Sequence, residues 1–324
     1  MSQAKAPRNR TLSLTRTEER NLSKELLRLT RPVPAAQVLD RTIHQDMMEA
    51  VPRLPPGSVD LLILDPPYNL AKSFNGKTFG RKGVSQYSQW MRGWLLPLLR
   101  LLKPTSSVYV CGDWRTSVSV YEVFSENLRV RNRITWEREK GRGAKTNWKN
   151  CSEDIWLATV SDDYSFDVDR VKMKRKVIAP YRVGGKPKDW REEERGNFRL
   201  TNPSNFWSDI TIPFWSMPEN TDHPTQKSEK LLAKLILASS QPGDVVLDPF
   251  LGSGTTSVVA HKLGRFFIGI EIDRRYCCLA MKRLSLAKTD KSIQGYSGGV
   301  FWERNTLREQ LREENGSTTP TPNR

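Results

Sequence analysis

Leu61-Leu62-Ile63-Leu64-Asp65-Pro66-Pro67-Tyr68-Asn69-Leu70 is the stretch around which the chain is organised. The apolar run Leu61 to Leu64, bounded by Asp60 and Asp65, has the length of a strand buried on both faces, as in a parallel sheet covered by helices. Pro66 and Pro67 lack backbone donors and have a fixed φ, so the ladder stops there and the chain leaves the sheet as a rigid turn. That turn presents the Asp65 carboxylate, a backbone carbonyl, the Tyr68 ring and the Asn69 amide. An exocyclic amino group on a planar base has two N–H donors and a π-face, and this set offers two acceptors and a ring to stack upon.

A second stretch shares the design. Asp244 to Asp248 reads as another buried strand, and Pro249-Phe250-Leu251-Gly252-Ser253-Gly254-Thr255-Thr256 as a glycine-rich turn entering a helix over Ser257 to Leu263. Such a turn lets a ligand approach the backbone and the helix N-terminus. Glu271 follows at the end of the next strand, where a carboxylate can hold both hydroxyls of a ribose. No Gly-Lys-Ser/Thr follows the glycines, which excludes a nucleoside-triphosphate loop, and Gly-x-Gly-x-x-Gly is broken by Thr255 and Thr256. A nucleoside carrying an amino acid fits better than one carrying a pyrophosphate.

The composition agrees with a nucleic-acid substrate. Lys and Arg number 52 against 36 Asp and Glu, a formal net charge of +16, which suits a polyanion. The four cysteines show no metal-ligand spacing, so no metal is expected and a reducing compartment fits. No run of 18 apolar residues and no apolar leader are present, so neither membrane insertion nor secretion is indicated.

Residues 1–35 form a polar, basic arm expected to be partly disordered, and 36–136 alternate strand and helix patterns around the Asp-Pro-Pro-Tyr turn, with a mobile loop expected at 69–85. The character changes over 137–215. From Arg129 to Leu200 there are 19 Lys and Arg against 12 Asp and Glu, with Trp148, Tyr164, Phe166, Tyr181, Trp190 and Phe198 interleaved, the composition of a nucleic-acid contact surface. Residues 216–290 carry the glycine-rich turn, and 291–324 read as a polar tail.

Asp65-Pro66-Pro67-Tyr68, followed by Asp248-Pro249-Phe250-Leu251-Gly252-Ser253-Gly254-Thr255, resembles the S-adenosylmethionine-dependent DNA amino-methyltransferases, which methylate adenine N6 or cytosine N4. The order of the motifs, with a basic region between them, is similar to the β group. His223-Pro224-Thr225-Gln226-Lys227 and the Asp46 segment match as well, and the resemblance covers roughly residues 40 to 285. It implies an α/β fold, a doubly wound, mostly parallel sheet of the class I methyltransferase type, circularly permuted, with a target-recognition insertion.

Carried over by position, the resemblance implies Asp65, Pro66, Pro67 and Tyr68 as the catalytic set. Phe250, Gly252 and Gly254 would approach the methionine part of S-adenosylmethionine, Glu271 the ribose and Asp46 the adenine. Thr225 and Lys227 would hold the carboxylate end, with Asp65, Asp248 and Thr255 completing the pocket. Duplex DNA is the expected partner, reached through Asn69, Lys72, Arg138, Lys140, Arg142, Lys145, Lys172, Lys174, Arg175 and Lys176. The resemblance to the β group also implies a homodimer, to which Trp207 and Trp215, with no period to bury them internally, could contribute an interface, the alternative being that both pack over the sheet edge; a cognate restriction endonuclease is left open. The expected setting is the cytoplasm of a bacterium or the genome of a phage.

The target base would be flipped out of the duplex and stacked on Tyr68, with only the ring of Tyr68 required. Asp at the first motif position accompanies adenine more often than cytosine, which favours adenine N6 over cytosine N4. An RNA amino-methyltransferase and an inactive nucleic-acid-binding relative are the rivals.

Overall fold

The computed structural model describes residues 6–304 except 70–71, 75–76, 139–144, 179 and 194–195, and also residues 306 and 310. The centre is an eight-stranded sheet of β1 (Arg41–His44), β2 (Val59–Leu64), β3 (Leu102–Gly112), β4 (Arg129–Glu137), β5 (Ser152–Thr159), β6 (Phe206–Trp207), β7 (Val245–Asp248) and β8 (Phe266–Glu271). Its spatial order is β1-β8-β7-β2-β3-β5-β4-β6. β5 runs antiparallel to its two neighbours and every other pairing is parallel. The two halves of the chain therefore meet at the middle of the sheet, where Val246 and Leu247 of β7 lie in register with Leu61 and Leu62 of β2. That is the permuted, doubly wound arrangement expected from the motif order.

Alternation along β2 explains the two helical layers. Leu62 and Leu64 face a cluster with α3 (Val84–Leu99) and α4 (Thr116–Asn127), through Met91, Leu95, Val120 and Phe124. Leu61 and Ile63 face the other side, where α5 (Glu229–Ser239) and α6 (Thr255–Lys262) contribute Leu231, Leu235, Val259 and Ala260. A strand covered on both faces cannot alternate polar and apolar residues, which is why β2 reads as an unbroken apolar run.

Four expectations need correction. The arm does not stand apart: α1 (Arg16–Leu22) is held by a capping box between Thr15 and Glu18, and Leu12 and Leu27 form parallel bridges with Thr221 and Ile43. Leu29 is buried, and its backbone exchanges two hydrogen bonds with the Gln45 amide. The expected tail from 291 is likewise misplaced. Val300–Trp302 pairs in parallel with Met173–Lys176 of the basic region, building a second sheet with Gly196–Thr201, Arg191–Glu193 and Tyr296–Ser297. Polar neighbours hid the strand, but Phe301 and Trp302 are buried. Trp207 is buried and its Nε1 donates to the Ser204 carbonyl, so it is core and gives no support to a dimer interface. The segment read as a loop at 69–85 includes a short hairpin, Lys72–Phe74 with Lys77–Phe79.

The two sheets are joined by a buried charge cluster. Asp209 pairs with Lys230 at 2.7 Å and Lys234 at 2.9 Å, and Lys234 also lies over the Trp207 ring at 4.8 Å. Burial pulls the Lys234 ammonium down to about 8, with Asp209 opposing. Removing one partner from a buried pair leaves the other uncompensated, at about 3–5 kcal/mol. Asp209→Ala is expected to cost stability of that order in calorimetric or denaturant unfolding, and a change below about 1 kcal/mol would show the cluster to be solvent-screened.

Candidate active site

The cleft forms at the carboxyl ends of β2 and β7, where an open α/β sheet places its ligands. It opens to solvent and is lined by Asp65, His223, Thr225, Lys227, Asp248, Phe250, Gly252 and Thr255 among others. Expected catalytic and cofactor residues from both halves are thus brought together. Tyr87 on α3 donates its hydroxyl to the Pro67 carbonyl at 2.8 Å, and Asn69 exchanges hydrogen bonds with the Lys82 backbone, so the Pro-Pro turn is held from behind.

At the turn, Lys227 Nζ donates to both oxygens of Asp65, at 2.8 and 2.7 Å, and to the Tyr68 hydroxyl at 3.0 Å. The single hydrogen of the Tyr68 hydroxyl is shared between two acceptors, Asp65 Oδ1 at 3.0 Å and Glu153 Oε2 at 3.1 Å. Burial pulls the Lys227 ammonium down, but Asp65 and Glu153 outweigh it and hold it above its ordinary range. Burial and the same two carboxylates push the Tyr68 phenol up, so it stays protonated as a donor. Lys227 was expected at the carboxylate end of a cofactor; its ammonium instead faces the catalytic motif. Glu153, on β5, was missed. Its only sequence signal is an acidic residue leading the apolar run Ile155-Trp156-Leu157-Ala158.

The glycine-rich turn is built for close approach. Gly254 has φ +82° and caps α6, and a Cβ there would lie 2.5 Å from the Ala280 Cβ. Gly252 has φ +53°, and a Cβ would meet His223 Nε2 at 3.0 Å. Only glycine suits both conformations. Asp248 ties the turn to the helix, accepting from the Phe250 amide at 2.9 Å and the Thr256 hydroxyl at 2.6 Å. Thr255 donates its hydroxyl to the Lys227 carbonyl, which fixes the His223–Lys227 segment against the turn. Glu271 accepts from the Gly252 amide at 2.9 Å and the Asp273 amide at 2.8 Å. Asp46 lies just beyond β1, whose His44 is in register with Glu271, and its carboxylate caps the short helix α2 (Met47–Ala50) through the Met48 amide.

The expected DNA contacts divide. Lys174 is corrected: it is buried, bonded to Glu193 at 2.8 Å and set over the Phe198 and Trp302 rings, so it holds the second sheet together and cannot reach a phosphate. Lys172 pairs with Asp169 at 2.7 Å, Arg175 lies 3.9 Å from Glu303, and Arg138 pairs with Glu153 at 3.0 Å. Lys145 and Lys176 are exposed, and Lys140 and Arg142 lie outside the described residues. Lys72 is placed on the hairpin after the Pro-Pro turn.

A family model described as DNA methylase, of the N6/N4 methyltransferases, matches residues 59–282. This chain belongs to that family. The type II methyltransferase M.HpaI of Haemophilus parainfluenzae is 33% identical over 247 residues, 75% of this chain and 74% of that protein. The DNA adenine methyltransferase YhdJ of Escherichia coli is 34% identical over 253 residues, 76% of this chain and 82% of that one. Among solved structures, the M1.HpyAVI–SAM complex aligns with a TM-score of 0.52 at 25% identity, covering 75% of this chain and 98% of that one. The cytosine-N4-specific PvuII DNA methyltransferase aligns with 0.55 at 18% identity, over 75% and 85%, and shares the fold. In this N6/N4 methylase, the Asp-Pro-Pro-Tyr turn and the glycine-rich turn therefore lie side by side at the carboxyl ends of the paired strands β2 and β7.

Burial raises Asp248 to about 7, the Thr256 and Phe250 bonds opposing, whereas burial lowers His223 to about 4. An Asp with a raised folded pKa binds more protons folded than unfolded, so its contribution falls as pH rises through about 4 to about 7. The lowered His223 has the opposite slope over an overlapping window, so a single melting curve mixes the two. Asp248→Asn separates them: its stability relative to wild type is expected to rise as pH increases from about 4 to about 7, in pH-resolved unfolding. A difference independent of pH would mean that Asp248 is ionised throughout.

Proposed function

We propose that this methylase transfers a methyl group from S-adenosylmethionine to adenine N6 in duplex DNA, at a specific site, on a base flipped into the cleft. The observation that carries this reading is the Asp65 carboxylate beside Tyr68, at the strand end adjoining the glycine-rich turn. The fit of the cofactor rests on that turn, whose left-handed glycines bring the chain tightly from β7 into the N-terminus of α6. Thr225 and Thr255 would hold its amino-acid end, Phe250 its thioether region, and Glu271 and Asp46 its nucleoside. Glu271 uses one bond on each oxygen for backbone amides, and each oxygen retains a second lone pair for a ribose hydroxyl.

When bound, the cofactor supplies an electrophilic methyl group on sulfur. The residues of the chain supply position and acceptors. Tyr68 presents its ring to the flipped base, and Asp65 with the Pro66 carbonyl accepts the two amino hydrogens. These bonds draw the nitrogen toward tetrahedral geometry and localise its lone pair, which is otherwise spread into the ring. Positive charge developing on the nitrogen during transfer would lie next to Asp65, whose carboxylate would take up the surplus proton. Positioning and a preorganised acceptor supply the rate. Adenine is favoured over cytosine by the Asp at the first motif position and by the 34% identity with an adenine methyltransferase.

Tritium transfer from labelled S-adenosylmethionine to unmethylated DNA, followed by nucleoside analysis, tests the reading: the label is expected in N6-methyladenine. Label in N4-methylcytosine alone, or in RNA alone, would refute it. Asp65→Ala is expected to lower turnover by about 10²- to 10³-fold, the cost of losing one preorganised electrostatic group, with cofactor affinity within a few fold. Tyr68→Phe loses a hydroxyl bonded to charged partners and should lose about tenfold, roughly 1.5 kcal/mol, where the ring alone was expected to suffice. Glu271→Ala should weaken cofactor binding by about 1–3 kcal/mol in calorimetry, and unchanged affinity would remove Glu271 from the ribose.

A further inference from the structure

Glu153 belongs to neither motif, yet its carboxylate, 4% exposed, sits in the same network as Asp65. It is carried by the antiparallel strand β5, opposite Trp136 of β4. Oε2 accepts from the Tyr68 hydroxyl at 3.1 Å and stands 3.4 Å from Lys227 Nζ, while Oε1 pairs with Arg138 at 3.0 Å. Asp65, by contrast, has both oxygens on Lys227 and one of them also on Tyr68. Two donors occupy Oδ1 and one occupies Oδ2, so a single lone pair remains on Oδ2, and the ammonium beside it weakens that oxygen as an acceptor for an incoming amino group. Lys227 cannot simply leave, since a buried cation without a counter-charge is costly.

We propose that Glu153 is the positioning residue that draws Lys227 and the Tyr68 hydroxyl off Asp65 as the target amino group docks, freeing Asp65 as its acceptor. The move is short, from a carboxylate 2.7 Å away to one 3.4 Å away. It leaves the charge of the pocket unchanged, with one ammonium between two carboxylates before and after. Arg138, 36% exposed, holds the far oxygen of Glu153 and fixes the side chain that receives Lys227. The inference rests on the reading of Asp65 as the amino-group acceptor.

The test is steady-state methyl transfer by the full chain on unmethylated genomic DNA, with cofactor affinity and melting temperature measured on the same preparations. Glu153→Gln keeps the size and the acceptor for Tyr68 but removes the seat for the ammonium. It is expected to lower kcat at least about tenfold with cofactor Kd within about twofold, the pattern of a lost transition-state contribution. Glu153→Asp, which restores the charge one methylene short, should recover part of kcat. If Glu153→Gln does not fold, the same split of kcat from Kd in Glu153→Asp decides. A folded Glu153→Gln with wild-type kcat overturns the inference, as does an activity loss that only tracks cofactor affinity. Asp65→Ala run alongside keeps the readings apart: an active Asp65→Ala removes the acceptor reading itself, whereas an inactive Asp65→Ala beside a fully active Glu153→Gln removes only the role of Glu153.

Discussion

The active site depends on one ion pair, Lys227 with Asp65, between residues 162 positions apart in the chain. Asp65 ends β2 and Lys227 lies on the turn before α5, so the pair exists only when the two halves of the chain have paired through β2 and β7. Both side chains are largely withdrawn from water, Lys227 to 10% exposed and Asp65 to 23%. Desolvation makes such a pair a weak source of net stability and a strong source of specificity, because every alternative placement leaves a charge unmatched. Tyr68 and Glu153 complete the matching, and the local charge is settled before any ligand arrives.

The rest of the molecule constrains this pair. The Pro-Pro turn is fixed from α3 by Tyr87, and the Thr225–Lys227 segment is fixed by Thr255 and by the glycine-rich turn. Behind that turn, Arg283 of α7 (Arg274–Ala287) bonds the Ser253 carbonyl, the Thr255 hydroxyl and Glu229, a buried network with little freedom to relax. The arm closes the outside. Its backbone meets Asn220 and Thr221, just before the Pro224 turn, and later runs beside β1, so it covers an edge strand that would otherwise expose unpaired amides.

The second sheet shows how charge composition can mislead. A basic, aromatic-rich run suggests a surface of cations awaiting phosphates. Yet Lys174 lies between two rings and a carboxylate, and Lys230 and Lys234 share Asp209 inside the protein. Lysine's long apolar stem allows burial, and the strand periodicity that would separate inward from outward cations is too short over Met173–Lys176 to be read. Lys145 and Lys176, exposed, keep the character that the composition suggested.

The amino-acid sequence by itself determined an alternating α/β chain, two turns that end buried strands and the residue types those turns carry; that the two turns pair in space was implied by the resemblance to the amino-methyltransferases. These rest on local physics: an apolar run long enough for a covered strand, prolines that must end it, and glycines that can take the left-handed conformation of a tight turn. Only the tertiary structure decided which charges meet. The direction of Lys227 toward Asp65, the presence of Glu153 beside Tyr68, and the strand made by Val300–Trp302 arise from contacts between distant segments. No spacing along the chain encodes them, because a carboxylate on an antiparallel strand acquires its neighbours only when the sheet closes around it.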